Sequence, residues 1–419
     1  MASSVTPEGY KDTILGVVPQ EWNIRCLGDL LSRCTNGLTY NVSISNGIPV
    51  TRIETISTGE INYAKVGHIQ NSVGYEDFRM QKGDILYSNI NSLSQIGKVA
   101  YYNGKKEIYH GMNLLLLRAN QCLNKQYLYY MLLTTYMRHM AQVIAKPAVN
   151  QASISTRDLK KIKIPVPPLP EQQKIAEVLS TWDNAIEKQS RLIEKLELRK
   201  KGLMQQLLTG KKRLPGFSSE WEEVKLWEIG TFFKGAGVPK DEISSSGAYK
   251  CLTYGDIYTK YNTQIKDVKC FISQETAKIS KKIEYGDICF ASSGETLKDI
   301  GKCAVFVDDN IGYAGGDIII FRKNIKTNPI LLAYILNSEY VNKQKYSVGQ
   351  GHSVVHIYIH NLEKIKIKIP YIKEQSAITE LLSYCDKEIK LAYQKLKILK
   401  QQKKGLMQVL LTGKKRIIQ

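Results

Sequence analysis

The sequence predicts an α+β protein in which two α/β domains are separated by two long helices that pair as an antiparallel coiled coil, the whole being an internal repeat of pseudo-twofold character. Three observations predict it. The segment 171–213 recurs at 374–416, offset by 203 residues. Both copies carry an apolar seam at alternating steps of four and three. The region before each copy alternates short apolar runs with turn signals, the pattern of β-rich structure.

A repeat of this length dictates the fold, since each copy must form the same unit. Residues 171–213 begin EQQKIAEVLSTWDNAI and end KKGLMQQLLTGKKR, and residues 374–416 begin EQSAITELLSYCDKEI and end KKGLMQVLLTGKKR. Weaker echoes extend it over the half-chains. Trp22 and Leu27 match Trp221 and Leu226, GDILYSNINSLSQIGK (83–98) matches GDICFASSGETLKDIGK (286–302), and Leu159 before KKIKIP matches Leu362 before EKIKIKIP. The expected order is a domain at 1–157, a helical region at 158–213, a domain at 214–360 and a helical region at 361–419.

The first seam holds Ile175, Leu179, Trp182, Ile186, Gln189, Ile193, Leu196, Lys200, Leu203 and Leu207. The second holds Ile378, Leu382, Cys385, Ile389, Ala392, Leu396, Leu399, Lys403, Leu406 and Leu410. Prolines 165, 167, 168 and 170 end the preceding strand, and Glu171 and Glu177 place negative charge where the helix macrodipole favours it. A helix over 171–209 is ~60 Å long. One such helix alone reads as a surface helix on its own domain, but two matching seams offer each other a partner. Antiparallel packing lets two half-chains relate by a twofold axis. Gly202 and Gly405, inside KKGLMQ, are expected to mark a fray point, a close backbone crossing or a docking surface.

In the domains, GDILYS, KVAYY and NLLLLR, then GDICFAS, KCAVFV and DIIIFR, read as strands. One helical stretch follows in each, QYLYYMLLTTYMRHMAQVIA and PILLAYILNSEYVNKQKY.

Composition narrows the partner. A net charge of +20 and a pI near 9.4 point to a polyanion, nucleic acid before an acidic protein. Residues 214–357 carry 17 basic and 17 acidic residues, so this part needs a local strip such as Lys278, Lys281 and Lys282. Eight cysteines lack any CxxC pair and read as reduced thiols of a cytoplasmic protein, with neither zinc nor disulfides indicated. No apolar signal region and no stretch of ~20 apolar residues occurs, so no membrane association is expected.

Catalytic motifs are absent. The Pro167-Pro168 pair is followed by Leu169, unlike the tetrapeptide of amino methyltransferases, and no GxxxxGK[ST] phosphate loop exists. Pro-Asp never occurs, so Glu223-Val224-Lys225 reads as the start of a strand rather than part of a nuclease site. His352, His356 and His360 have the spacing of metal ligands on a helix, yet GHSVVHIYIHNL alternates with period two, which suggests a strand or loop. No metal site is expected.

In VPQEW…LGDL, in IPVPPLPEQQKIAEVLS with KKGLMQQLLTG, and in GDI…IGK in each half, the chain resembles, over essentially its whole length, the specificity subunits of type I restriction-modification systems. The second copy has IPYIKEQ where the first has IPVPPLPEQ. The resemblance implies a non-catalytic subunit without cofactor that binds double-stranded DNA, two modification subunits using AdoMet and two restriction subunits using ATP and Mg. It also implies a bipartite target, one half read by each domain. Two other readings stay open: a coiled-coil adaptor for an acidic protein, and the recognition subunit of another bipartite restriction system.

Base contacts are expected from polar loops. The loop after GDI comes first: Ser88, Asn89, Asn91, Ser92 and Gln95 in the first domain, and Ser292, Ser293, Glu295 and Thr296 in the second. Lys146, Asn150 and Gln151, with Gln350, His352 and Ser353, come next. Arg52, Lys250 and Tyr254 come third.

Overall fold

The computed structural model describes residues 6–39, 44, 46–70, 74–149, 151–297, 300–351 and 354–417. The chain forms two compact units, Met1–Ser190 with Lys395–Gln419, and Arg191–Gln394. The long helices run Leu169–Leu207 and Ile372–Leu410, 39 residues each, about 58 Å at 1.5 Å per residue. Each unit takes the first half of one helix and the second half of the other.

Within each unit the helix halves are antiparallel. In the first, Asp183 pairs with Lys403, and Glu171 pairs with Arg416 just beyond the second helix. In the second, Lys200 pairs with Asp386, and Arg213 with Glu374. Residue numbers rise on one side as they fall on the other. Every seam position is buried or half-buried. Ile175 and Leu179 enter the first unit's core with Leu410, and Ile378 and Leu382 enter the second's with Leu207. A side chain at Gly202 or Gly405 would meet nothing within 4 Å, so the expected close backbone crossing is overturned: both glycines lie inside continuous helix facing open space.

The first unit's main sheet is antiparallel, in the order Leu31–Thr35, Leu115–Ala119, Ile85–Tyr87, Val99–Tyr101. The second unit repeats that order as Gly230–Lys234, Ile318–Lys323, Ile288–Ala291, Cys303–Phe306, adding Gln264–Ile265 parallel to the last. Asn23–Cys26 pairs with Lys163–Val166 in one unit, and Glu222–Lys225 with Lys366–Ile369 in the other. Glu223-Val224-Lys225 is therefore strand.

The GDI motif has a local physical reason. Gly83 and Gly286 sit at φ +100° and +91°, a conformation glycine enters without strain. The aspartates that follow are almost fully buried. Arg118 donates to both oxygens of Asp84 at 2.7 and 2.8 Å, and Arg322 to both of Asp287 at 2.9 and 2.7 Å. Asp84 and Asp287 also accept from the Gln81 and Glu284 amides, closing the turn.

The single helical stretch expected in each unit is instead two helices, Lys125–Leu132 with Thr135–Ile144, and Pro329–Leu336 with Glu339–Val348. The break falls where Thr134 and Ser338 take extended backbone and accept from the Met137 and Val341 amides. A hydroxyl cap inside an apolar run starts a new helix. No helix among the described residues is long and apolar enough to cross a membrane.

Candidate nucleic-acid interface

In both units a short strand pair joins the loop after GDI to the segment ahead of Leu159 or Leu362. Asn91 faces Ala152, and Ser293 faces His356. The structure thus brings together the described members of the first and second sets of expected contact residues. Their availability differs sharply.

Ser88 and Asn89 are corrected from surface contacts to internal struts. Ser88 is fully buried and its hydroxyl accepts from the Asn91 amide at 3.1 Å, while the Asn89 amide donates to the Ile154 carbonyl at 3.4 Å. Asn91 itself is half-buried and caps the Ser92 amide. Ser92 is exposed, with its hydroxyl 3.2 Å from that of Ser94, and Gln95 is half-buried. Lys146 and Gln151 are exposed. Asn150 lies outside the described residues.

The second unit follows the same plan. Ser293 is corrected in the same way: it is 5% exposed, with its hydroxyl 3.0 Å from His356 Nδ1 and donating to Asp317 at 3.3 Å. Ser292 is half-buried and its carbonyl accepts from the Ile357 amide. Glu295, Thr296 and Gln350 are exposed. His352 and Ser353 lie outside the described residues.

Among the third set, Arg52 is half-buried and pairs with Glu54 at 3.3 Å. Lys250 is half of a partly buried ion pair, donating to both oxygens of Asp308 at 2.7 and 2.8 Å. Burial works against the charged form of Asp308, but the Lys250 hydrogen bond and those from the Asn310 and Val268 amides prevail and hold its carboxyl below the ordinary value. Tyr254 is exposed and stands edge-on to Tyr258. In the expected basic strip, Lys278 and Lys282 are exposed, whereas Lys281 lies 4.4 Å above the Phe233 ring.

His356 and His360 belong to an aromatic column. Tyr358 stacks between His356 and His360, with centroids 6.5 and 5.9 Å away and interplanar angles of 28° and 8°. His356 is on the strand Val355–His356 and His360 on the helix Ile359–Glu363, so they do not share a helix face. Among the described residues no group of three or more His, Cys, Asp or Glu side chains could hold a metal ion. A cleft of about 480 Å³ opens here, lined by Lys234, Ser292, Asp317, His356, Tyr358 and His360. The sequence pattern offered His356 and His360 only as metal ligands and left Tyr358 unnoticed, although the alternation HIYIH sets the three rings at every second position. The exposed groups are hydrogen-bond donors, acceptors and ring faces, which suit recognition of base edges.

The family model described as the type I restriction modification DNA specificity domain matches residues 19–198 and again 218–401. A putative type I restriction enzyme MjaX specificity subunit of Methanocaldococcus jannaschii is 34% identical over 98% of this chain and 97% of its own length. The MjaVIII specificity subunit of the same organism is 25% identical over 98% and 96%. Among solved structures, the type I restriction-modification S subunit from M. genitalium aligns with a TM-score of 0.57 and 17% identity, covering 93% of this chain and 96% of that one. A chain from a study of complex assembly and conformational transition of the type I system aligns at 0.59 and 16%, covering 94% and 99%. At such identities these structures speak to the fold alone.

Proposed function

The chain belongs to the type I restriction-modification DNA specificity family, and from that premise we propose that its two target-recognition domains each read one half of a bipartite duplex target. The carrying observation is that the framework is repeated while the exposed loop residues differ. The buried pairs Asp84–Arg118 and Asp287–Arg322, and Glu171–Arg416 and Glu374–Arg213, recur in both units. Where one reading loop carries the exposed Ser92 and the half-buried Gln95, the other carries the exposed Glu295 and Thr296. Equal frames with unequal loops suit an asymmetric target of two parts.

Catalysis falls to partner subunits in this reading: two modification subunits methylate adenine using AdoMet, and two restriction subunits translocate and cut using ATP and Mg. The complex acts in the cytoplasm, where the host DNA lies. Ser92, Gln95, Lys146, Asn150 and Gln151 contact the first half-site. Glu295, Thr296, Gln350, His352 and Ser353 contact the second, with Arg52 and Tyr254 at the edges. The basic excess contributes sequence-independent phosphate attraction, so affinity falls steeply with salt. The test is duplex binding by the chain assembled with its modification subunit, over a range of salt. Sequence-specific binding supports the reading, and equal affinity for all duplexes counts against it.

A further inference from the structure

Two cysteines of the second unit stand opposite each other on paired strands. Tyr249–Leu252 runs antiparallel to Phe271–Ile272, with Tyr249 facing Ile272 and Lys250 facing Phe271. Continuing that register by one residue sets Cys251 opposite Cys270, and the Cys251 amide donates to the Cys270 carbonyl at 2.8 Å. Hydrogen-bonded partners of an antiparallel pair have Cα atoms about 5.5 Å apart, within the span of roughly 4.4–6.8 Å that a disulfide bridges. Opposed residues project to the same face of a sheet. Here both side chains enter one apolar cluster with Val238, Ile272 and Tyr313.

The two thiols are chemically unequal. Cys251 is 1% exposed, and burial pushes its thiol up to about 12. Cys270 is only half-buried. The Lys260 ammonium donates to its sulfur at 3.4 Å while also pairing with Asp256 at 2.6 Å. Negative charge arriving on the Cys270 sulfur therefore meets a cation already in place. None of this serves the DNA-reading surface, which uses neither sulfur.

We propose that Cys270 and Cys251 form a peroxide-reactive dithiol, Cys270 reacting first and Cys251 resolving the product to an intrachain disulfide. The Cys270 thiolate attacks one oxygen of a hydroperoxide, the O–O bond breaks, and the alkoxide or hydroxide leaves with a proton to give a sulfenic acid. The Cys251 sulfur then attacks the Cys270 sulfur. Its proton goes to the departing hydroxide, and water leaves as the S–S bond forms. In sum, two thiols lose two electrons and two protons, and the peroxide is reduced. The bond ties down the segment between the strands, which carries the helix Tyr254–Thr259.

The test exposes the folded full-length chain to hydrogen peroxide, blocks remaining thiols with an alkylating reagent and maps the cysteines by peptide mass spectrometry. Cys122, an exposed cysteine of the first unit, is the internal reference. The expected result is a Cys251–Cys270 cross-linked peptide lighter by two hydrogens, formed before Cys122 is consumed. Lys260→Met should slow loss of the Cys270 thiol severalfold and Lys260→Arg should restore it. Cys251→Ser should leave Cys270 as a trappable sulfenic acid. Oxidation of Cys122 while Cys270 remains fully alkylated would overturn the proposal, as would a cross-link that forms only after unfolding.

Discussion

Lys403 of the second long helix donates to Asp183 of the first, and the same contact is made again by Lys200 and Asp386, each partner displaced by 203 residues. Asp183 also accepts from the Tyr130 hydroxyl and Asp386 from that of Tyr334. The repeat is thus a repeat of partly buried polar contacts as well as of apolar residues, and the expectations below come from removing one partner at a time.

The helix-end cluster should be sensitive to loss of its cation. Glu171 is 7% exposed and accepts from Arg416 and from the Trp22 indole at 3.0 Å. Arg416→Met leaves that carboxylate without its charge partner and should cost about 2 to 3 kcal/mol, reduced from the fully buried case by the partial exposure of Arg416. Adding Glu171→Gln should recover much of the loss. Denaturant unfolding of both variants checks this, and equal stability of single and double variants would contradict it.

The seam should respond unevenly to charge. Leu196 is 7% exposed whereas Leu399 is half-buried. Leu196→Asp should therefore cost about 3 kcal/mol or more, and Leu399→Asp distinctly less. Thermal melting of each variant, with and without the modification subunit, is the measurement.

Acid should weaken the second unit through Asp308. Its folded carboxyl lies below the ordinary Asp value of 3.8 because of the Lys250 pair. A depressed carboxylate contributes stability that is complete above the unfolded value and is lost as pH falls through the folded one. Lys250→Met removes that contribution, so the variant's acid-unfolding midpoint should move to higher pH. An unchanged midpoint would contradict the pairing.

Helix length should set target spacing if the helices act as a ruler. One heptad added to both, at matched points, lengthens them by ~10 Å, about 3 base pairs of duplex. Half-sites should persist with a longer preferred spacer, and an insertion in one helix alone should damage folding. Selection from a library with variable spacers reads the outcome.

The long helices and their direction were legible because period and repetition act together: seam positions recur at the same offset as the polar partners Asp183 and Asp386. The strands of the main sheets were legible from GDI, KVAYY and DIIIF. The hydroxyl caps Thr134 and Ser338 were not, since a threonine or serine within an apolar run reads equally well as helix interior. Burial of Ser88, Asn89 and Ser293 was hidden for a related reason. Polarity predicts exposure only when no internal partner exists: Ser88 finds Asn91 within its own loop, while Asn89 and Ser293 find Ile154 and His356, which pairing brings in from segments distant in sequence. The ion pair of Lys250 was hidden likewise, because its partner Asp308 is brought alongside by the fold.

The most direct measurement replaces residues 1–157 with the corresponding domain of a relative and maps the methylated adenines made by the chimera with its modification subunit. One domain reading one half predicts that one half of the target changes while the other half is retained. Simultaneous change of both halves, or of neither, would contradict it.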